Sequence, residues 1–249
     1  MSHSILATDV KLRLFGLKTV PDFGLIPQGQ HTFYIITLRD PFARSVSAFT
    51  YEHIDNVVAR GETMSPLTEE AKVEAKKCFP TLESFVDYIG DDAASYDYPH
   101  HQSQIVASNC TNLARAVING KVRRFNHFFF PFEKIRSFIP GDNPIIFATR
   151  QEHLWYDWKK INFQLGQTSD ILIPADDSNA RDLSKMNQPV TRDLSDKGKE
   201  RLCKALKNEY DGYISILQEA INLSDDDVQV TLDEIKATCP NIITTSTGH

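Results

Sequence analysis

The stretch from Thr37 to Phe49, TLRDPFARSVSAF, gathers the side chains best suited to hold a phosphate. Arg39 carries a planar guanidinium that can grip two phosphate oxygens through parallel N–H donors. Ser47 supplies a hydroxyl further along. Between them, Asp40 is a good helix N-cap and Pro41 suits the first helical position, so a helix is expected over 41–58. Its apolar positions Phe42, Val46, Phe49, Ile54 and Val57 keep roughly helical spacing. The positive end of that helix would lie near Arg39, with Ser47 about two turns on. The same residues admit a structural use: Arg39 paired with a local carboxylate, and Ser47 as a small packing residue.

Such a site needs a strand to deliver the arginine. Residues 33–38, FYIITL, are β-branched, aromatic and apolar on both faces, as in the middle of a parallel sheet. Ligands of α/β proteins bind at the carboxyl ends of such strands. A second apolar strand is expected at 144–149, PIIFAT, followed by Arg150 and an amphipathic stretch over 152–165, which repeats the order strand, arginine, helix. Trp155 and Trp158, three apart on that stretch, are expected to pack inward. Further helices are expected over 68–78, at 81–89, over 101–119, over 195–223 and near 226–238. The one at 195–223 places Leu202, Leu206, Tyr210, Tyr213, Leu217 and Ile221 on one face. Residues 11–17, KLRLFGL, alternate as a short strand would. Strands leading directly into helices imply an α/β class.

The chain has 249 residues, 41% of them hydrophobic and 24% charged, with 11 Gly and 12 Pro, which excludes collagen-like, low-complexity and wholly disordered classes. With 33 acidic residues against 27 basic ones the net charge is -6, so a surface that grips nucleic acid is not expected. Any anionic ligand must be held by a local cluster. No apolar run reaches the roughly 18 residues of a membrane span, and residues 1–10 show no signal-peptide pattern. Four cysteines, Cys78, Cys110, Cys203 and Cys239, are spread without a C-x-x-C pair. They allow one or two disulfides, or free buried thiols. His100 and His101 lack zinc-ligand spacing and there is no H-E-x-x-H, so no metal is expected. Two N-glycosylation sequons occur, Asn109-Cys110-Thr111 and Asn222-Leu223-Ser224, and by themselves they do not decide whether the chain enters the secretory route.

These residues resemble a known family. A strand, then R-D-P-x-x-R, then a serine on the next helix, is similar to the 3'-phosphate-binding motif of sulfotransferases, which use 3'-phosphoadenylyl sulfate (PAPS) as sulfuryl donor. The carbohydrate, Golgi-type group carries R-D-P-x-x-R-x-x-S-x-[FYW]. By this resemblance Arg39 and Ser47 bind the 3'-phosphate, and Arg44 is structural. The segment from Arg150 to Trp158, RQEHLWYDW, is similar to the R-x-E-H-L-x-x-D-W segment of related proteins, and a polar loop holding Asn187 follows. The resemblance spans roughly residues 33–223. It implies an α/β, P-loop-like sulfotransferase fold, a small parallel sheet flanked by many helices, over 31–223. An irregular segment, 1–30, would precede it, and a short helix with a polar tail, 224–249, would follow. The implied reaction moves a sulfuryl group from PAPS to a hydroxyl or amine, with a carbohydrate as favoured acceptor, PAP as product and no metal. The implied location is the Golgi or a membrane surface.

One departure bears on activity. The family keeps a lysine-bearing 5'-phosphosulfate loop upstream. The nearest segment here, residues 24–31 (GLIPQGQH), has the glycine spacing of a P-loop but Gln30 and His31 where Lys and Ser/Thr belong, with Pro27 inside it. The expectation is an N-terminally incomplete fold, or one that has lost the loop. The alternative reading is a non-catalytic nucleotide-binding or scaffold protein. Transfer also needs a general base. Glu52, His53, His100, His101 and His127 are candidates, and His53 is chosen because its helix starts at the cofactor. Arg181, Lys185 and Arg192 lie in a loop that, by family position, would close over the nucleotide. Lys121, Arg123 and Arg124 form a small basic cluster that reads as a solvated turn or as a contact for an anionic sugar.

Overall fold

The computed structural model describes residues 33–90, 109–119, 122, 125, 132, 139, 144–166, 190 and 192–243. Among them the fold is mixed α/β, mostly helical, with a small parallel sheet. The elements are β1 (Phe33–Leu38), α1 (Pro41–Glu52), α2 (Ile54–Ala59), α3 (Pro66–Cys78), α4 (Leu82–Ile89), α5 (Cys110–Ile118), β2 (Ile145–Arg150), α6 (Leu154–Gln164), α7 (Asp196–Ala205), α8 (Lys207–Glu219) and α9 (Asp225–Thr238). The chain divides into two units. One takes Met1–Asp40, Phe132–Asn179 and Asp211–Asp233; the other takes Pro41–Pro131, Ala180–Tyr210 and Glu234–His249.

The first unit is built on the sheet. β1 and β2 pair in parallel, in register from Phe33 opposite Ile145 to Leu38 opposite Arg150. Both strands are buried along most of their length, which is why neither shows polar alternation. Ile35, Phe147, Ile161 and Leu165 form a core cluster, with Ile145 and Trp158 packed against it. The outer edge of β2 is closed by the chain after α8. The Ile221 amide donates to the Ile146 carbonyl (2.9 Å), and the buried Asn222 amide pairs with both the N–H and the C=O of Ala148 (2.8 Å each). An otherwise bare strand edge is thereby satisfied.

That edge explains one correction. The pattern predicts a single helix through 223, with Ile221 on its buried face. The helix instead turns at Leu206 and ends at Glu219, and Ile221 is 51% exposed. Backbone groups that would have extended α8 are spent on the sheet, and this turns the Ile221 side chain outward.

The second unit is helical. Leu82, Phe85, Val86 and Ile89 of α4 are buried, as their spacing predicts. Thr81 and Ser84 form a capping box at the start of α4, and the Arg115 guanidinium donates to the Ile89 carbonyl (2.9 Å) at its end. Phe85 stacks against Phe49 and Phe79, with ring centres 5.6 and 5.1 Å apart. The cysteines left open by the sequence are all paired, Cys78 with Cys110 and Cys203 with Cys239. The helix predicted over 41–58 is two helices. His53 takes an extended backbone (φ -62°, ψ 132°) and caps α2, while the buried Asn56 amide donates to the Thr50 carbonyl (2.7 Å). Polar side chains that bond to nearby backbone compete with helix continuation, and here they win.

Candidate functional site

Arg39 follows the last residue of β1 directly and is half-buried at the carboxyl end of that strand. Pro41 takes the first position of α1, directly after Asp40, and the first turn of α1 itself carries no acidic side chain. Ser47 lies half-buried on α1. Arg39 belongs to the first unit and Ser47 to the second. Arg44 is buried and ion-paired with the buried Glu209, which anchors α1 to α8 within the second unit.

His53 begins where α1 ends. Twelve residues of helix separate it from the start of α1, about 18 Å along the axis. It is 7% exposed and lines a small, largely apolar pocket with Phe49, Glu52, Lys72, Phe79 and Phe125. Its Nδ1 accepts the Asp55 N–H (3.3 Å), so the neutral ring carries its proton on Nε2. Nε2 is buried and makes no hydrogen bond among the described residues. Burial lowers the His53 pKa below the usual imidazole value; Lys76 and Lys72 act in the same direction, while Asp55 and the nearby Pro80 carbonyl oppose it. The ring is therefore neutral near pH 7. Glu52, another sequence candidate for the base, is buried and ion-paired with Lys72, whose ammonium also donates to the Glu52 carbonyl (2.9 Å).

The second arginine segment is built into the fold. Arg150 is 2% exposed and Asp157 is fully buried. Asp157 accepts from the Arg150 backbone N–H (2.7 Å), Nε (2.9 Å) and Nη2 (2.6 Å). Nη1 of Arg150 donates to the Asp227 carbonyl (2.7 Å) and to Thr231 Oγ1 (3.0 Å). Burial works against the Arg150 charge, but Asp157 and Asp227 more than compensate and raise its pKa. Lys160 pairs with the Asp227 carboxylate. The arginine is consumed in tying β2 to α6 and α9. The spacing of Arg150 and Asp157 was visible in the sequence; Asp227 and Thr231, some 80 residues away, were not. On α6 the inward expectation fails for Trp155, which faces outward, and holds in part for Trp158, which is half-buried against the core cluster.

His100, His101 and His127, the basic residues Lys121, Arg123, Arg124, Arg181 and Lys185, Asn187 and the segments 11–17 and 24–31 all lie outside the described residues. Arg192 is exposed. Among the described residues no helix is long and apolar enough to cross a membrane.

Comparison with known proteins gives a family match over part of the chain. The model of the Sulfotransferase family matches residues 21–127, a stretch that contains Arg39, Ser47 and His53 and stops short of Arg150. No curated protein and no solved structure matches the chain. The match supports sulfuryl transfer as the general chemistry, and with it a sulfuryl donor and an acceptor substrate.

Proposed function

We propose that this chain moves a sulfuryl group from PAPS to a hydroxyl or amine acceptor of carbohydrate type, with Arg39 and Ser47 holding the 3'-phosphate of the donor. The observation that carries the reading is the coincidence of the Sulfotransferase family match with the strand–Arg39–helix–Ser47 segment. A half-buried arginine at the carboxyl end of a parallel strand, followed by a helix whose first turn lacks acidic residues, suits a bound phosphate. PAPS would supply an activated sulfuryl group with PAP as the leaving group. Transfer is expected to be in line, so that positioning and electrostatics carry most of the rate effect.

His53 is the proposed base, and its environment sets a condition on that role. Its one lone pair is on Nδ1, which the Asp55 N–H occupies. To take the acceptor's proton, Nδ1 must be released from the first turn of α2. Two disulfides fit an oxidising compartment, in line with a Golgi lumen location. A non-catalytic nucleotide-binding module is the second reading, favoured by Gln30 and His31 at the positions where a phosphate loop needs Lys and Ser/Thr.

Calorimetric titration with PAP tests the donor assignment. Losing the charge-assisted bonds of Arg39 should weaken binding roughly 10- to 100-fold in Arg39→Ala, and Ser47→Ala should weaken it less. A folded wild type that does not bind PAP, or Arg39→Ala binding as tightly as wild type, refutes the reading. His53→Gln should lower kcat about 10²-fold or more with PAP affinity unchanged. Wild-type PAP binding without turnover marks the non-catalytic module.

A further inference from the structure

The two glycosylation sequons sit in opposite structural settings, and this separates them. Asn109 is exposed and is the N-cap of α5. Its cap uses the side-chain oxygen, which accepts the Asn112 N–H at 3.1 Å. The amide nitrogen Nδ2 is the atom a glycan takes. A sugar there leaves Oδ1 in place, so the cap and the glycan are compatible. Asn222 is 3% exposed. Its Nδ2 donates to the Ala148 carbonyl and its Oδ1 accepts the Ala148 N–H, both at 2.8 Å, closing the edge of β2. A glycan on that nitrogen has no room in the fold and would leave buried backbone groups unpaired.

A second observation points to the compartment where such modification happens. All four cysteines are in disulfides, the state of chains that mature in an oxidising lumen. One of them, Cys110, is the middle residue of the Asn109 sequon.

We infer that Asn109 is an N-glycan acceptor and that Asn222 stays unmodified in the folded protein. A lipid-linked oligosaccharide diphosphate is the co-reactant. The bond between the anomeric carbon and the diphosphate oxygen breaks, a bond from that carbon to Asn109 Nδ2 forms, Nδ2 gives up one proton, and the lipid diphosphate leaves. Redox state does not change. The inference is independent of the sulfotransferase reading, because it rests on the sequons, the cap geometry and the disulfides.

The test is expression of the full chain behind a supplied cleavable leader in a eukaryotic secretory host. Enzymatic deglycosylation converts a modified Asn to Asp, and peptide mass mapping locates it. The expected result is a single-glycan mass shift, conversion at Asn109 and none at Asn222. Thr111→Ala should abolish the shift by removing the sequon while leaving the cap. Asn109→Asp should abolish it too, while the Asp oxygen keeps the α5 cap. Translation into microsomes gives the Asn109 and Thr111 readouts where export fails. An unmodified Asn109 in either system, or a glycan on Asn222 in the folded secreted chain, overturns the inference. Failure of PAP binding would leave it standing.

Discussion

Asp157→Ala tests whether the Arg150 network holds the first unit together. The substitution removes three hydrogen bonds to Arg150, one to its backbone amide and two to its guanidinium. It leaves a cation that is 2% exposed. Breaking a buried pair from one side costs about 3–5 kcal/mol. Arg150 would keep its bonds to the Asp227 carbonyl and Thr231, with the Asp227 carboxylate 3.6 Å away, so the lower end, about 3 kcal/mol, is expected. The double variant Arg150→Met/Asp157→Leu removes both charges. Thr231 and the Asp227 carbonyl then satisfy each other through their existing 3.3 Å bond. The backbone N–H at position 150 loses its partner, at about 1–3 kcal/mol, while the Asp227 carboxylate keeps Lys160 and Ser224. The double variant should therefore be more stable than the single one. Trp155 and Trp158 are the chain's two tryptophans and both belong to the first unit, so their fluorescence reports on its unfolding in urea. At a slope of 1–3 kcal/mol per molar urea, a loss of about 3 kcal/mol moves the midpoint down by roughly 1–3 M. A single variant costing under about 1 kcal/mol, or a double variant no better than the single, would refute this account.

Three further outcomes are expected. Burial alone would raise the pKa of Asp227, but hydrogen bonds from Lys160 and Ser224 outweigh it and hold the carboxyl at about 2, against 3.8 ordinarily. Its contribution, about 2 kcal/mol, is present above the ordinary value and is lost as pH falls through the folded one. Acid titration followed by tryptophan fluorescence should show Asp227→Asn with that much less dependence between about pH 5 and 2; an unchanged profile contradicts the assignment. The disulfides close loops with separations of 32 and 36 residues. In the chain-entropy picture each is worth about 4 kcal/mol, so Cys78→Ala/Cys110→Ala should unfold the second unit well below wild type in a calorimetric scan, and a shift worth less than about 1 kcal/mol speaks against it. Gly198→Ala would normally favour a helix by about 1 kcal/mol. Here the new Cβ falls 2.6 Å from Glu83 Oε2, which accepts the Ser195 N–H at 2.9 Å while Oε1 accepts its hydroxyl at 2.5 Å. Swinging the end of the Glu83 side chain away gives up exposed bonds to Ser195 worth about 0.5–1.5 kcal/mol each, so the substitution should stabilise wild type less than it stabilises Glu83→Ala; an equal gain in both backgrounds argues against the clash.

The local order was readable wherever one pattern dominated. FYIITL is a buried parallel strand because burial on both faces demands an unbroken apolar run. Leu82, Phe85, Val86 and Ile89 fall on the buried side of α4 because a helix returns to one face every three to four residues. The helix breaks at His53 and Leu206 were not readable. At His53 the break depends on which polar side chain captures which backbone group, and the partners are Thr50, Asp55 and Asn56 in three dimensions.

The same division separates the two arginines. Sequence alone set Arg39 and Arg150 in one grammatical frame, each at the end of an apolar strand and before a helix. It also placed Arg39 and Ser47 in the motif that the family match later covered. That Arg150 is committed to the fold depended on Asp227 and Thr231, brought to it by the chain's return after α8. A guanidinium cannot be buried without acceptors, and acceptors supplied from 77 and 81 residues away belong to the tertiary structure, not to any local pattern.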